Sequence, residues 1–400
     1  MRIGMMADVY KPHVSGVTNY IALNKAHLEQ MGHQAFVFTF SAGDYIDDEI
    51  NIIRSRSLPL LDTGYYFSLR YTRSARRLLQ TMDVVHVHHP FISGTLALLY
   101  CRPRGIPIVF TNHTRYDLYA QAYLPVMPDI IGNTALQSYM PAFCRSCDMV
   151  VSPSPGMREV LKQFGVDVPI EVVPNGVDLG PFQNPGHPID RAELGFASSD
   201  IVLLFVGRMG PEKNLDFLLR SFTGAIQAYD HLRLVLIGGG PERENLEDWV
   251  SRTGNQHAVR FLGPISYDQM PRYMAMADVF VTASVTEVHP LTVIEAMAAG
   301  LPVVGINSPG IGDTVKDGET GFLVPQEEIA MFTAMMIRMA VDNNNRQRMG
   351  QQARLEAQNY AIDRTSRMML ERYERVVRDS AGRKQTMRVR LDRFIELFRK

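Results

Sequence analysis

Glu287 and Glu295, with seven residues between them in TEVHPLTVIEAMAAGLPVV (286–304), are the pair whose type and spacing point most directly to chemistry. Pro290 between them suits the first turn of a helix and Gly300 its end. Glu295 then falls inside the helix and Glu287 in the loop before it. A helix start carries backbone N–H groups without helical partners, a natural seat for an anion. A carboxylate on each side accepts hydrogen bonds from hydroxyl groups. Arg208 and Lys213, in GRMGPEKN (207–214), add two cations in a Gly/Pro-containing loop that opens another helix. Such cations neutralise a diphosphate and stabilise the charge that grows on it as it leaves. The combination fits a sugar carried on a nucleotide diphosphate.

Further candidates lie at other strand ends. Gly16, in KPHVSGVTNY, stands at a helix start, where a missing side chain lets a phosphate or sugar approach the backbone. His113, in TNHT, reads as a hydrogen-bond partner for sugar or acceptor. His86, His88 and His89 lack metal-ligand spacing and read as packing or cleft lining. GGGP (238–241) is consistent with close backbone approach to a ligand, and the loop holding Pro264 and Ile265 is placed to meet a nucleobase edge. Asp47-Asp48 lies in a loop and no D-x-D stands at a strand end, so no metal is expected. Cys144 and Cys147 read as reduced, partly buried thiols.

The elements that position these residues follow from the patterning. In residues 1–174 the Val- and Ile-rich runs Arg2–Ala7, Gln34–Phe40, Asp83–His88, Pro107–Asn112, Asp148–Pro153 and Ile170–Pro174 lack strict alternation. That is the mark of parallel strands covered on both faces. Gly16–Met31 and Pro155–Phe164 read as crossover helices. From Pro174 to Pro188 four prolines and three glycines make a linker. Six more strands follow, at 201–207, 232–240, 259–263, 278–284, 302–306 and 321–325. The expectation is an α/β chain of two Rossmann-like, doubly wound parallel-sheet domains facing a cleft. Their bounds are 1–180 and 190–362, with helices at 363–400 that cross back and end in a basic amphipathic tail.

Composition narrows the function. Lys plus Arg at 41 nearly cancels Asp plus Glu at 42, which predicts no polyanionic partner and no nucleic acid. No apolar run approaches the ~18–20 residues that span a bilayer. The chain opens directly on a strand rather than on a basic-then-apolar leader, so the expected location is cytoplasmic.

Taken together, these segments resemble the family 4 retaining glycosyltransferases of GT-B fold, over nearly the whole chain to about residue 380. The E-x7-E pair Glu287/Glu295 is the most specific part, supported by Arg208 and Lys213 in G-R-x-x-x-E-K-N and by P-N-G-V-D at 174–178. The resemblance implies that Arg208 and Lys213 hold the donor diphosphate, that Glu295 binds the ribose and that Glu287 sits by the donor sugar. Leu291 and Thr292, at the same helix start, join the donor site. Gly16 and His113 match the family's first-domain glycine and active-site histidine. Transfer by His113, Glu287, Arg208 and Lys213 would then retain configuration without metal or cofactor, on a UDP-hexose or GDP-mannose co-substrate. The family often has Phe-Gly where His289-Pro290 stand here, a departure that bears on the identity of the sugar.

The acceptor is read elsewhere. Arg54–Arg77 holds six arginines, one acid and the aromatics Tyr65, Tyr66, Phe67 and Tyr71, with Arg70, Arg73 and Arg77 in a helical stripe. Tyr116, Tyr119 and Tyr123 form an aromatic stripe beyond His113 and are candidate acceptor-binding residues. In the tail, Met387, Leu391, Phe394, Ile395 and Phe398 share one face of a basic helix that runs from Arg383 to Lys400. Basic amphipathic segments with aromatics suit an anionic membrane surface, here the inner face of the cell membrane. TNHTRYDLY also resembles diacylglycerol glucosyltransferases, which implies a lipid acceptor. Two alternatives remain: a soluble sugar or polysaccharide acceptor with the tail packed on the protein, and a non-transferring GT-B protein, either a sugar-nucleotide epimerase or a binding module.

Overall fold

The Val-, Ile- and Leu-rich runs expected as strands become short strands, most of them with side chains buried on both faces, as parallel sheets require. The computed structural model describes residues 1–397 apart from 14, 42–44, 60–65, 68–69 and 119–128. Side chains are described for all of these except 58–59, 66–67, 129–135 and 383–397. Among the described residues the strands are β1 (Arg2–Met6), β2 (Gln34–Ser41), β3 (Ile52–Arg56), β4 (Leu58–Pro59), β5 (Tyr66–Phe67), β6 (Val84–Val87), β7 (Ile108–Thr111), β8 (Met149–Ser152) and β9 (Ile170–Val172). The second half holds β10 (Ile201–Val206), β11 (Leu232–Ile237), β12 (Val259–Gly263), β13 (Val279–Thr282), β14 (Val303–Ile306) and β15 (Gly321–Val324).

The first sheet has the order β3-β2-β1-β6-β7-β8-β9 and the second β12-β11-β10-β13-β14-β15. All their pairings are parallel; only the small β4–β5 pair is antiparallel. In each sheet the order reverses beside the first strand, at β1/β6 and at β10/β13. Loops leaving these strands diverge there and open a crevice, the place where such sheets bind ligands. The twelve strands of the two sheets anticipated from sequence are joined by β3, an edge strand whose run of Ile52, Ile53, Arg54, Ser55 and Arg56 reads as a polar segment until it pairs with β2.

The first crossover helix, Gly16–Gln30, begins with a capping box. Thr18 N–H donates to Ser15 Oγ at 3.2 Å and Ser15 N–H to Thr18 Oγ1 at 2.8 Å. Its own side chains therefore occupy that helix start. The C-terminal helix (Ile362–Leu397) is a brace rather than an appendage. Met369, Tyr373 and Val376, at i, i+4 and i+7, are buried among Ile3, Met5, Tyr20 and Ile21 on the first sheet. Ser366 Oγ donates to Asn24 Oδ1 at 3.1 Å. A chain that has built the second sheet thus returns to complete the core of the first.

The hinge clasps the start of this helix. Val177 N–H donates to Tyr360 O and Ile362 N–H to Val177 O, both at 2.9 Å. A β-carbon on Gly176 would stand 2.1 Å from Thr365 Oγ1 and 2.8 Å from the Ile362 α-carbon. Backbone at that distance cannot swing aside as a side-chain tip can. Gly176→Ala is therefore expected to cost about 1–3 kcal/mol by overpacking, seen as a lowered Tm in calorimetry.

Candidate active site

The helix Leu291–Ala298 starts where the sequence places it, with one shift: Pro290 is its N-cap, with φ −80° and ψ 102°, and not a residue of the first turn. No side chain caps the helix. The N–H groups of Leu291, Thr292 and Val293 have no helical acceptor, and the first helical bond recorded is Ile294 N–H to Pro290 O at 3.2 Å. The Gly16–Gln30 helix differs, because its own box partly satisfies its start. Gly300, with φ +88°, ends the Leu291–Ala298 segment in the left-handed conformation that glycine adopts without strain.

Around this start the cations and carboxylates assemble. Lys213 Nζ donates to Glu287 Oε1 at 2.5 Å, across 74 residues, with both side chains about one-fifth exposed. The loop holding Lys213 is fixed to the Glu287 loop by Ser284 Oγ and Thr286 Oγ1, which reach Glu212 O at 3.3 and 3.4 Å. It ends at Asn214, held at φ +53°. On its other side, Met209 N–H donates to Gly239 O at 2.8 Å and Gly207 N–H to Ile237 O at 3.0 Å. A β-carbon on Gly238 would lie 1.9 Å from Gly207 O, and one on Gly240 2.4 Å from Met209 O. Gly238 and Gly240 thus make room for the Arg208 loop.

Glu295 is 4% exposed and accepts a hydrogen bond from the Tyr267 hydroxyl at 2.9 Å. Burial pushes its carboxyl from the ordinary 4.5 up to about 7, while the Tyr267 bond pulls the other way. His289 is buried edge-on to Tyr360 at 5.1 Å, and burial drives its imidazole down to about 3. Its ring therefore occupies a packing position, neutral throughout the physiological range.

The first domain meets this surface directly. Val288 joins the apolar cluster of the first sheet that includes Met6, Phe110 and Met157. Gly156 N–H donates to Asp313 Oδ2 at 2.6 Å. A β-carbon on Gly16 would be 3.9 Å from the Leu291 side chain, which sets the capped helix start opposite the uncapped one. His13, four residues beyond Val9 in the same strand-end loop, has a pKa lowered first by burial and then by the Arg208 guanidinium. His113 ends β7 half-buried, its Nε2 3.1 Å from His88 Nδ1 and its ring 4.8 Å from Tyr20.

The residues expected at the acceptor side and on the basic segment are placed as follows. Tyr116 packs edge-on to Phe91 at 5.1 Å, whereas Tyr119 and Tyr123 lie outside the described residues. Tyr65 does too. Tyr71 is core, stacked on Phe40 at 5.1 Å. Arg54 is held by Asp47, at 2.6 and 2.8 Å, and by Lys11 O at 2.6 Å. Arg70 precedes the Arg73–Leu79 helix, whose exposed face carries Arg73 and Arg77, while Arg76 lies over the Tyr100 ring at 5.5 Å. Burial raises the Cys144 thiol to about 12 and the Cys147 thiol well above its usual value. Tyr267, His13 and Val288 were not singled out from sequence. Tyr267 stands two residues past the Pro264–Ile265 loop, and His13 sits in the same loop as Gly16, so position alone held both signals.

With this geometry in view, comparisons with known proteins place the chain. A family model described as Glycosyl transferases group 1 matches residues 187–356, and one described as Glycosyltransferase Family 4 matches 14–180. The chain is 30% identical over 332 residues to an alpha-monoglucosyldiacylglycerol synthase of Streptococcus pneumoniae, covering 81% of this chain and 75% of that protein. It is 27% identical over 343 residues to an enzyme of the same name from Acholeplasma laidlawii, covering 82% and 86%. The Anabaena HepE structure, solved with UDP and glucose, has a TM-score of 0.74 at 18% identity, covering 94% of this chain and 99% of that one. The chain belongs to the family 4 glycosyltransferases of GT-B fold, of the diacylglycerol glucosyltransferase type. It is a hexosyltransferase.

The Glu295 environment gives a pH test of its own. The folded carboxyl titrates near 7 and the unfolded one near 4.5, so the folded state binds the proton more tightly. Its contribution to stability is full below the unfolded value and is lost as pH rises through the folded one. Glu295→Gln keeps an acceptor for Tyr267 and removes the buried charge. The expected outcome is a gain in Tm that is larger at pH 8 than at pH 5 in ligand-free thermal melts.

Proposed function

We propose that this transferase moves a hexose from a nucleotide diphosphate to a lipid such as diacylglycerol, with retention of anomeric configuration and without a metal. The observation that carries the donor half is the Lys213–Glu287 pair beside the uncapped start of Leu291–Ala298, with Arg208 near enough to His13 of the facing loop to lower its pKa. The diphosphate lies on the N–H groups of Leu291 and Thr292, and Arg208 and Lys213 neutralise it. Those two cations and the helix start supply the positive charge that departure of the nucleotide requires. Glu287 holds the Lys213 ammonium in place before the donor arrives and faces the sugar afterwards. Glu295 receives the ribose hydroxyls. His113 and Gly16, from the opposing domain, line the sugar and acceptor side.

In the transfer step the bond from the anomeric carbon to the leaving phosphate oxygen breaks as the acceptor hydroxyl oxygen bonds to that carbon from the same face. The hydroxyl proton passes to the leaving phosphate. No protein nucleophile is needed, so the protein's work is positioning and electrostatics. Residues 1–180 take the acceptor, 190–362 the donor, and 363–400 brace the first domain and reach the membrane. Glucose as the sugar and diacylglycerol as the acceptor are supported by the names of the two bacterial relatives, and UDP as the nucleotide by the HepE complexes.

Contact with the inner face of the cell membrane uses exposed arginines of the Arg54–Arg77 segment, Arg73 and Arg77 among them, and the basic tail from Arg383. The described residues include no helix long and apolar enough to cross a membrane.

A donor-by-acceptor assay tests the reaction, with UDP-glucose, UDP-galactose and GDP-mannose against diacylglycerol vesicles and soluble sugars. Transfer of glucose from UDP-glucose to diacylglycerol is expected; transfer only to soluble sugars would move the acceptor to the alternative class. Lys213→Ala should lower kcat by about 10²–10³ while the Tm changes little. Sedimentation with phosphatidylglycerol vesicles tests the surface. Binding should rise with anionic lipid, weaken with salt and fall when 383–400 are deleted; unchanged binding would remove the tail from the interface.

A further inference from the structure

Strand β6, with the loops after β6 and β7, brings three histidines together. His86 and His88 stack with ring centroids 4.1 Å apart, and His88 meets His113 at 5.3 Å. His86 is satisfied on both sides, with Nδ1 2.6 Å from the Tyr373 hydroxyl of the C-terminal helix and Nε2 2.7 Å from Thr111 Oγ1. His88 is fully buried and bonded on one side alone. Its Nδ1 lies 3.1 Å from His113 Nε2, whereas its Nε2 is buried with no hydrogen-bond partner among the described residues. Two facing ring nitrogens share one proton, and the two ways of sharing it are not equivalent.

If His113 Nε2 donates, His88 must carry its own proton on Nε2, where a buried N–H has nothing to donate to. If His88 Nδ1 donates, the unpaired atom is instead a bare lone pair among rings. Buried N–H groups without a partner are rare in folded proteins, and unpaired acceptors somewhat less so, which favours the second arrangement. A doubly protonated ring is disfavoured at either position, because burial and the neighbouring histidines lower both pKa values. With Nε2 of His113 acting as acceptor, its remaining proton sits on Nδ1, an atom with no hydrogen-bond partner among the described residues.

We infer that His88 is a positioning residue that fixes His113 as the Nδ1–H tautomer, so that His113 presents an N–H donor, and not an acceptor, to a hydroxyl or phosphate oxygen of the ligand in the cleft. The inference rests on His113 acting in the transfer reaction proposed above. It assigns a direction to the hydrogen bond His113 makes, and it assigns His88 a part in catalysis exerted through His113 alone.

Long-range proton–nitrogen NMR of histidine-labelled full-length protein reads the tautomer directly, with His113→Gln identifying the signals of that ring. Protonated Nδ1 and bare Nε2 at His113 are expected across pH 6–8. The opposite pattern, or a ring that protonates within that range, overturns the inference. Kinetics separates positioning from packing. Asparagine at position 88 places an amide N–H where Nδ1–H stood, and phenylalanine keeps the ring but cannot donate. His88→Phe should lower kcat roughly tenfold to hundredfold with KM for the donor little changed, and His88→Asn should recover most of it. Equal loss in both variants, or no loss in either, overturns the inference even where His88→Phe is poorly folded, because the wild-type NMR stands independently. A wild-type protein that transfers no sugar while showing the expected tautomer would count against the transfer reading and not against the tautomer.

Discussion

The start of the helix Leu291–Ala298 is the constraint around which the rest is arranged. Pro290 at the N-cap has no side-chain oxygen to offer, so the first backbone N–H groups of the helix have no acceptor among the described residues. An uncapped helix start is unfavourable in isolation and favourable beside an anion. Everything close to it answers that local cost. Lys213 is aimed by Glu287, the Lys213 loop is tied down by Ser284 and Thr286, and the Arg208 loop is seated on glycines that tolerate backbone contact.

Glu287 and Glu295 have unlike environments despite their common motif. Glu287 is half-buried and paired with a lysine. Glu295 is enclosed within the helix, bonded to a tyrosine hydroxyl and shifted upward by burial. One carboxylate orients a cation; the other waits as a buried acceptor with a titration near neutrality. The division follows from the helix geometry, since one residue precedes the helix and the other lies within it.

The opposing wall depends on the chain's return to its own beginning. The C-terminal helix buries Met369, Tyr373 and Val376 on the first sheet, and Tyr373 reaches His86 beneath the histidines of the cleft. The hinge at Gly176 and Val177 is clasped by the start of the same helix. The two sheets are therefore coupled through one element as well as directly, where Val288 enters the apolar cluster of the first sheet and Gly156 meets Asp313.

The sequence by itself determined the parallel sheets, the linker and the donor motif, because continuous Val/Ile runs, prolines, glycines and E-x7-E are local signals carried by neighbouring residues. Edge strand β3 escaped it, since a strand half-covered and rich in arginine becomes legible only through its pairing with β2. Local pattern also did not show that Gly238 and Gly240 lie against the Arg208 loop, and it grouped Tyr71 with the basic segment although its ring is core. Tertiary structure alone decided that Lys213 pairs with Glu287 across 74 residues, that Tyr267 holds Glu295 and that His88 faces His113. Those contacts join residues whose chain neighbours say nothing of one another. They depend on how two sheets and a returning helix pack, a property of the assembled core and not of any one segment.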